Sequence, residues 1–220
     1  MTKSIKYAYG FALGLLIAFP LNTLAQNNSD AFIKAQAVFE QGLRGSEHAN
    51  KNAGEQFKHL TELEPGNPLF MAYYGSTYAL KADHTWMPWT RLKLGEQGLE
   101  LIDKALKLLS EEHDQILMRS VPMSIETRLV AINTFLKMPN IFFHGRNDAG
   151  KNLLAETMKG SLFAASPPFT RARYHFQVAF VAEMEKNLAN EVNHLKRVLE
   201  LDPEILDAPA ARTRLKELGA

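Results

Sequence analysis

The chain contains no cysteine. That absence excludes disulfide staples, thiolate nucleophiles and zinc–thiolate sites. With no thiol beside the leader described below, lipoprotein processing is excluded as well. Charge of one sign is missing too, since 25 Lys and Arg face 24 Asp and Glu. Nucleic-acid binding draws on clustered cations that displace counterions, and the sequence has no such footprint. No apolar run reaches the ~20 residues that cross a bilayer comfortably. With 46% hydrophobic residues, the fold must rest on an apolar core alone.

Catalytic signatures are also lacking. The seven histidines, His48, His59, His84, His113, His144, His175 and His194, are scattered, and no H-E-x-x-H pair of zinc ligands occurs. No serine sits in a G-x-S-x-G elbow. The segment Gly145-Arg-Asn-Asp-Ala-Gly-Lys151 has a glycine spacing one residue short of a phosphate loop, and Asn152 stands where Ser or Thr is required. The acidic pairs Glu62/Glu64, Glu111/Glu112 and Glu183/Glu185 diverge on helices or face solvent. The expectation is a protein that is not an enzyme, with no catalytic residue, cofactor or metal site.

What is present begins with a leader. Lys3 and Lys6 precede an apolar stretch from Tyr7 to Phe19, Pro20 breaks it, and Thr23-Leu-Ala25 offers a small-x-small cleavage site. Residues 1–25 are thus expected to be a signal peptide, leading to the periplasm or to secretion, with no membrane span after cleavage. An uncleaved anchor is the alternative. Removal of 1–25 takes two lysines, so Lys and Arg fall from 25 to 23 against 24 acids. Residues 26–30 read as a polar spacer, with Asp30 a cap for a helix from Ala31.

Beyond the spacer the periodicity is helical. Phe32, Ala35, Val38, Phe39 and Leu43 form one apolar stripe, and Ala53, Phe57 and Leu60 form a second that ends at Pro65. Pro68 opens a third helix carrying Met71, Tyr74, Gly75 and Tyr78. Gly98, Ile102 and Ala105 repeat a small-large-small step on a strongly amphipathic helix through Leu109. Asp114–Arg119, Ser124–Lys137 and a helix capped by Asn147 or Asp148 follow, the last closing near Gly160. Ser166-Pro167-Pro168 is a break. A helix capped by Thr170 then carries Tyr174 and Ala179, and its partner runs from Glu191 through Leu195 and Val198 to Pro203. Asp207 starts a final amphipathic helix.

Ala53, Phe57, Leu60 and Pro65, followed in register by Met71, Tyr74, Gly75 and Tyr78, resemble the junction between two tetratricopeptide (TPR) repeats. Ala179 stands where Gly75 does, and the closing Leu-Glu-Leu-Asp-Pro203 resembles the end of a TPR unit. Pro65 to Pro203 spans 138 residues, about 46 for each of three hairpins, against a 34-residue norm. The chain is thus similar to exported bacterial TPR-like proteins. The resemblance implies an all-α, right-handed α-α superhelix with elongated central repeats over 31–220, its hairpins near 31–65, 68–110, 114–161 and 169–203, with a capping helix at 207–218. It also implies a non-catalytic adaptor or scaffold that holds a protein or peptide partner.

The repeat positions Ala53, Phe57, Leu60, Pro65, Tyr74, Gly75, Tyr78, Ala179 and Pro203 are expected to be structural, with Gly75 and Ala179 at close helix approaches and Tyr74 and Tyr78 filling the space beside them. Trp86-Met-Pro-Trp89 lies in an 11-residue excess over the repeat step and reads either as packing that lengthens the next helix or as an aromatic lid. Phe143 and Arg146, beside adjacent Phe142 and Gly145, are the other candidates for ligand contact. A second function class follows from the lid: a small-molecule-binding component associated with a transporter, with Trp86 and Trp89 closing a pocket.

Overall fold

A computed structural model describes residues 21–139 and 141–220, with side chains from residue 28 onward. Most of the expected leader therefore lies outside the described residues. The fold is all-α apart from one small hairpin. Its helices are α1 Leu21–Leu43, α2 Glu47–Leu63, α3 Pro68–Asp83, α4 Pro88–Leu108, α5 Glu112–Gln115, α6 Met123–Lys137, α7 Arg146–Lys159, α8 Ser161–Ala165, α9 Pro168–Met184, α10 Leu188–Leu201 and α11 Ala208–Glu217. Strands β1 Leu117–Met118 and β2 Val121–Pro122 pair antiparallel. No helix among the described residues is long and apolar enough to cross a membrane.

Sequence neighbours pack together: α1 on α2, α3 on α4, α6 on α7, α9 on α10 and α11 on α10. The α2–α3 and α3–α6 contacts join the first three pairs, and α6–α9 joins the fourth. Leu43, Asp83 and Lys137, the last residues of α1, α3 and α6, line one small cavity. These three helices therefore run the same way, and the turn that follows each lies at one common end of the molecule.

Local chemistry explains the helix boundaries. Asn67 accepts bonds from the amides of Leu69 and Phe70 at 3.0 and 3.2 Å, capping α3 ahead of Pro68. Ser46 caps α2 through the Ala49 amide. Several expected caps fall elsewhere. Helix α1 runs through the polar 26–30 segment and through Asp30, and the Asn28 amide donates to Glu64 at 2.6 Å. Thr170 is fully buried inside α9, whose cap position is Pro167. Asn147 lies within α7 and points back, donating to the carbonyls of Phe135, Leu136 and Met138 at 3.0, 2.9 and 3.3 Å. It closes the end of α6, where helical carbonyls lack intrahelical partners.

The segment expected to be helical through Arg119 instead turns over. Arg119 and Ser120 have φ of 52° and 64° and connect β1 to β2. Two positive φ values fit a two-residue hairpin turn, a conformation that favours Gly or Asn and that Arg and Ser do not advertise.

The first core is aromatic. Tyr73 stacks on Phe57 at 4.8 Å between centroids and meets Phe39 and Phe32 edge-on at 5.3 and 5.5 Å. Ala53, Phe57 and Leu60 are buried beside it, while Pro65 and Pro203 are exposed at the ends of α2 and α10. Gly75 and Gly98 face each other across α3 and α4, and Ala179 is buried against the α10–α11 cluster.

Candidate binding groove

A groove of about 600 Å³ lies between α2 and α3. Its α2 wall carries Glu47, His48, Asn50, Lys51, Gly54, Glu55 and Lys58. Opposite stand Tyr74, Thr77, Tyr78 and Lys81 of α3, with His84 and Thr85 at its end. The spacing follows from helical geometry, because residues three and four apart share a face. Lys51 and Lys58 flank Gly54 and Glu55 on one side, and Tyr74, Tyr78 and Lys81 line the other.

Tyr78 lies beside the Gly75–Gly98 approach, and Tyr74 packs partly against the first core. Tyr73 takes the buried place, and Tyr74 and Tyr78 are half-buried on the groove wall, their hydroxyls 3.2 Å apart and their rings edge-on at 5.2 Å. Burial, then the bond to Tyr78, holds the Tyr74 phenol protonated well above its ordinary range. The pair thus presents neutral hydroxyls on an aromatic surface. The floor is fixed by Asn50, whose amide donates to the Thr77 carbonyl at 3.1 Å, and by Thr77 Oγ1, which donates to the Tyr74 carbonyl. Gly54 leaves room here, since an added Cβ would lie 3.2 Å from Thr77 Oγ1. Glu47 sits 3.8 Å from His84 at the groove mouth. Lys51, Lys58 and Lys81 outnumber Glu47 and Glu55, so the lining leans cationic.

The four residues expected to contact a ligand are not brought together here. Trp86 and Trp89 are 85% and 69% exposed and do not line the groove. The excess length around them is absorbed by α4, which starts at Pro88 and reaches Gly98 only after ten residues. Phe143 is buried against Gly95, where an added Cβ would run into its ring. Arg146 forms a two-pronged pair with Asp103 at 2.6 and 2.7 Å and lies over the Phe135 ring. Its charge is satisfied within the fold.

Sequence reading missed a buried polar centre between the helix pairs. Glu126, 1% exposed, accepts from Tyr73 at 2.6 Å and Arg173 at 3.0 Å, with Arg119 at 3.6 Å. Gln36 donates to the Tyr73 hydroxyl at 3.0 Å. Burial pushes the Glu126 carboxyl up, but Arg173, then Arg119, and the bonds from Tyr73 and Arg173 outweigh it and hold it below its ordinary value. This network joins α1, α3, the β-hairpin, α6 and α9. A second centre is the stacked His175–His194 pair, with Nδ1 atoms 2.8 Å apart. No group of three or more His, Asp or Glu side chains that could hold a metal ion occurs among the described residues.

No protein-family model matches the chain, and no curated protein or solved structure matches it.

Proposed function

We propose that the chain is a TPR-like helical-repeat adaptor of the cell envelope that holds a peptide segment of a partner protein in the α2–α3 groove. The observation that carries this reading is the groove itself. It is bounded by two helices, carries charged anchors along both walls, and has the Tyr74–Tyr78 pair as its aromatic surface. Small-molecule sites bury most of their ligand's surface and converge a few polar groups on it. This groove instead distributes Lys51, Glu55, Lys58 and Lys81 along its length, as suits an extended chain with alternating charge. The pairwise packing of successive helices supports the repeat architecture, and its superhelical, TPR-like form is part of the proposal. Export rests on the leader features at Lys3 to Ala25. The proposed role is non-catalytic and needs no cofactor.

Selection of a random peptide library on the immobilised protein tests the reading, with Lys58→Glu/Lys81→Glu in parallel. Both lysines are exposed, so the variant keeps its helical circular dichroism. Peptides with a shared acidic pattern should be enriched on the native chain and bind at least tenfold more weakly to the variant. Peptides that bind both forms equally, or no enrichment at all, would overturn the groove as the site.

A further inference from the structure

Exposed apolar side chains are not spread evenly over this protein. Seven of the eleven large ones among the described residues sit on or beside three turns: Trp86, Trp89 and Leu92 after α3, Ile141 and Phe142 after α6, Met184 and Leu188 around the end of α9. The first two turns share the common end defined by Asp83 and Lys137. Phe143 reaches from the second turn onto Gly95 of α4, which places that turn beside the first helical turns after Trp89. The third turn joins them through Glu185, which binds Lys151 of α7 at 2.7 Å. The three turns therefore form one rim. None of the seven side chains lines the groove or either of the two smaller cavities.

A row of projecting tips is a poor seat for a peptide and suits a flat, deformable surface. The residue types point the same way, because Trp is enriched where an apolar layer meets water. Cations flank the tips. Arg44, Lys93 and Lys186 at this end are exposed and have no ion-pair partner among the described residues. Of the acids there, Glu185 is paired with Lys151, Glu183 with Arg214, and Glu47 lies near His84; Asp83 and Asp207 face Lys137, leaving Glu40 and Asp148. We propose that this rim docks on an anionic phospholipid bilayer, with Trp86, Trp89, Ile141 and Phe142 entering the interfacial layer and Arg44, Lys93 and Lys186 contacting headgroup phosphates. Cations near an anionic surface add to the attraction. The mouth of the α2–α3 groove, at Glu47, His84 and Thr85, opens at this same end, and lipid docking does not depend on a peptide in the groove.

Both tryptophans of the chain lie on this rim, so intrinsic fluorescence reports on it alone. The test titrates the full chain with vesicles of phosphatidylglycerol and phosphatidylcholine, with brominated acyl chains as quenchers. Variant Ile141→Ser/Phe142→Ser keeps both reporters and alters only exposed positions. Anionic vesicles should shift Trp emission to the blue and allow bromine quenching, with at least tenfold weaker partitioning for phosphatidylcholine alone and for the variant. Three other outcomes each overturn the proposal. The first is co-sedimentation with unshifted emission, which would assign binding to the apolar run at 7–19. The second is a concentration-dependent blue shift without lipid, which would assign the rim to a second copy of the chain. The third is no sedimentation and no shift.

Discussion

Gly75 and Gly98 each occupy the space that a side chain on the other would need. A Cβ on Gly75 would lie 2.7 Å from the Gly98 carbonyl oxygen, and one on Gly98 would lie 2.6 Å from the Gly75 oxygen. Backbone cannot swing aside as a flexible side chain can. Gly75→Ala should therefore destabilise the protein by overpacking, about 1–3 kcal/mol. In a chain of this size each kcal/mol lowers Tm by roughly 2–4 °C. Gly66→Ala is the control, because an added Cβ there meets nothing within 4 Å. Thermal melts of the two variants decide the matter, and equal midpoints would contradict the close approach.

A close approach at Gly75 was legible in the sequence because it stands on a helical period before Tyr78, whereas its partner Gly98 showed only as a small-large-small step with Ile102 and Ala105. The choice between Tyr73 and Tyr74 was not legible. Adjacent helical residues differ by only 100° in direction, so periodicity admits either one as the inward side chain. Only the positions of Phe57 and Glu126 make Tyr73 the buried ring. The Arg119–Ser120 turn carries no Gly or Asn to announce it. The Glu126 centre joins residues 47 and 53 positions apart in sequence, a separation no local pattern records. The groove lysines were visible as residues, but their alignment opposite Tyr78 depends on how α2 meets α3.

Asn147 holds three backbone carbonyls at the end of α6 with one amide nitrogen. It is 7% exposed, so little water can replace it. Asn147→Ala should cost about 1–3 kcal/mol through buried acceptors left without a donor. Asn147→Asp should cost more, since a carboxylate would face the same three oxygens. Urea denaturation midpoints rank the variants. An aspartate variant as stable as the alanine one would show that the carbonyls find other donors.

The Glu126 centre predicts an asymmetry between its partners. Arg173→Met leaves a buried carboxylate with only Arg119 at 3.6 Å as a cation, a change of the kind that costs about 3–5 kcal/mol. Glu126→Gln removes the charge but keeps an oxygen that can accept from Tyr73 at the 2.6 Å contact, and should cost less, about 1–3 kcal/mol. Combining the two should recover part of the Arg173→Met loss, because no buried anion then lacks its partner. Strict additivity in denaturant titrations would mean that the two side chains act independently.

His175 and His194 share one hydrogen bond between Nδ1 atoms 2.8 Å apart, so one ring must donate and the other accept. Burial, then His194, Arg197 and Arg171, push the His175 pKa down to about 4, and burial lowers that of His194 as well. The unfolded chain takes up a proton near the ordinary value of about 6.5, before the folded His175 can. Stability contributed by the neutral pair is therefore complete above pH 6.5 and is lost as the pH falls towards 4. Both rings are about half-exposed, so solvent screening reduces the effect to about 1 kcal/mol. Glu126 acts in a lower window, because its carboxyl is held below the ordinary value and its contribution disappears only as the pH falls through that lowered pKa. Denaturant titrations of the native chain and of His175→Gln, at intervals from pH 7.5 to 4.5, separate the two groups. The native curve should fall across this range while the variant stays flatter, and parallel curves would remove the pair from the account of acid sensitivity.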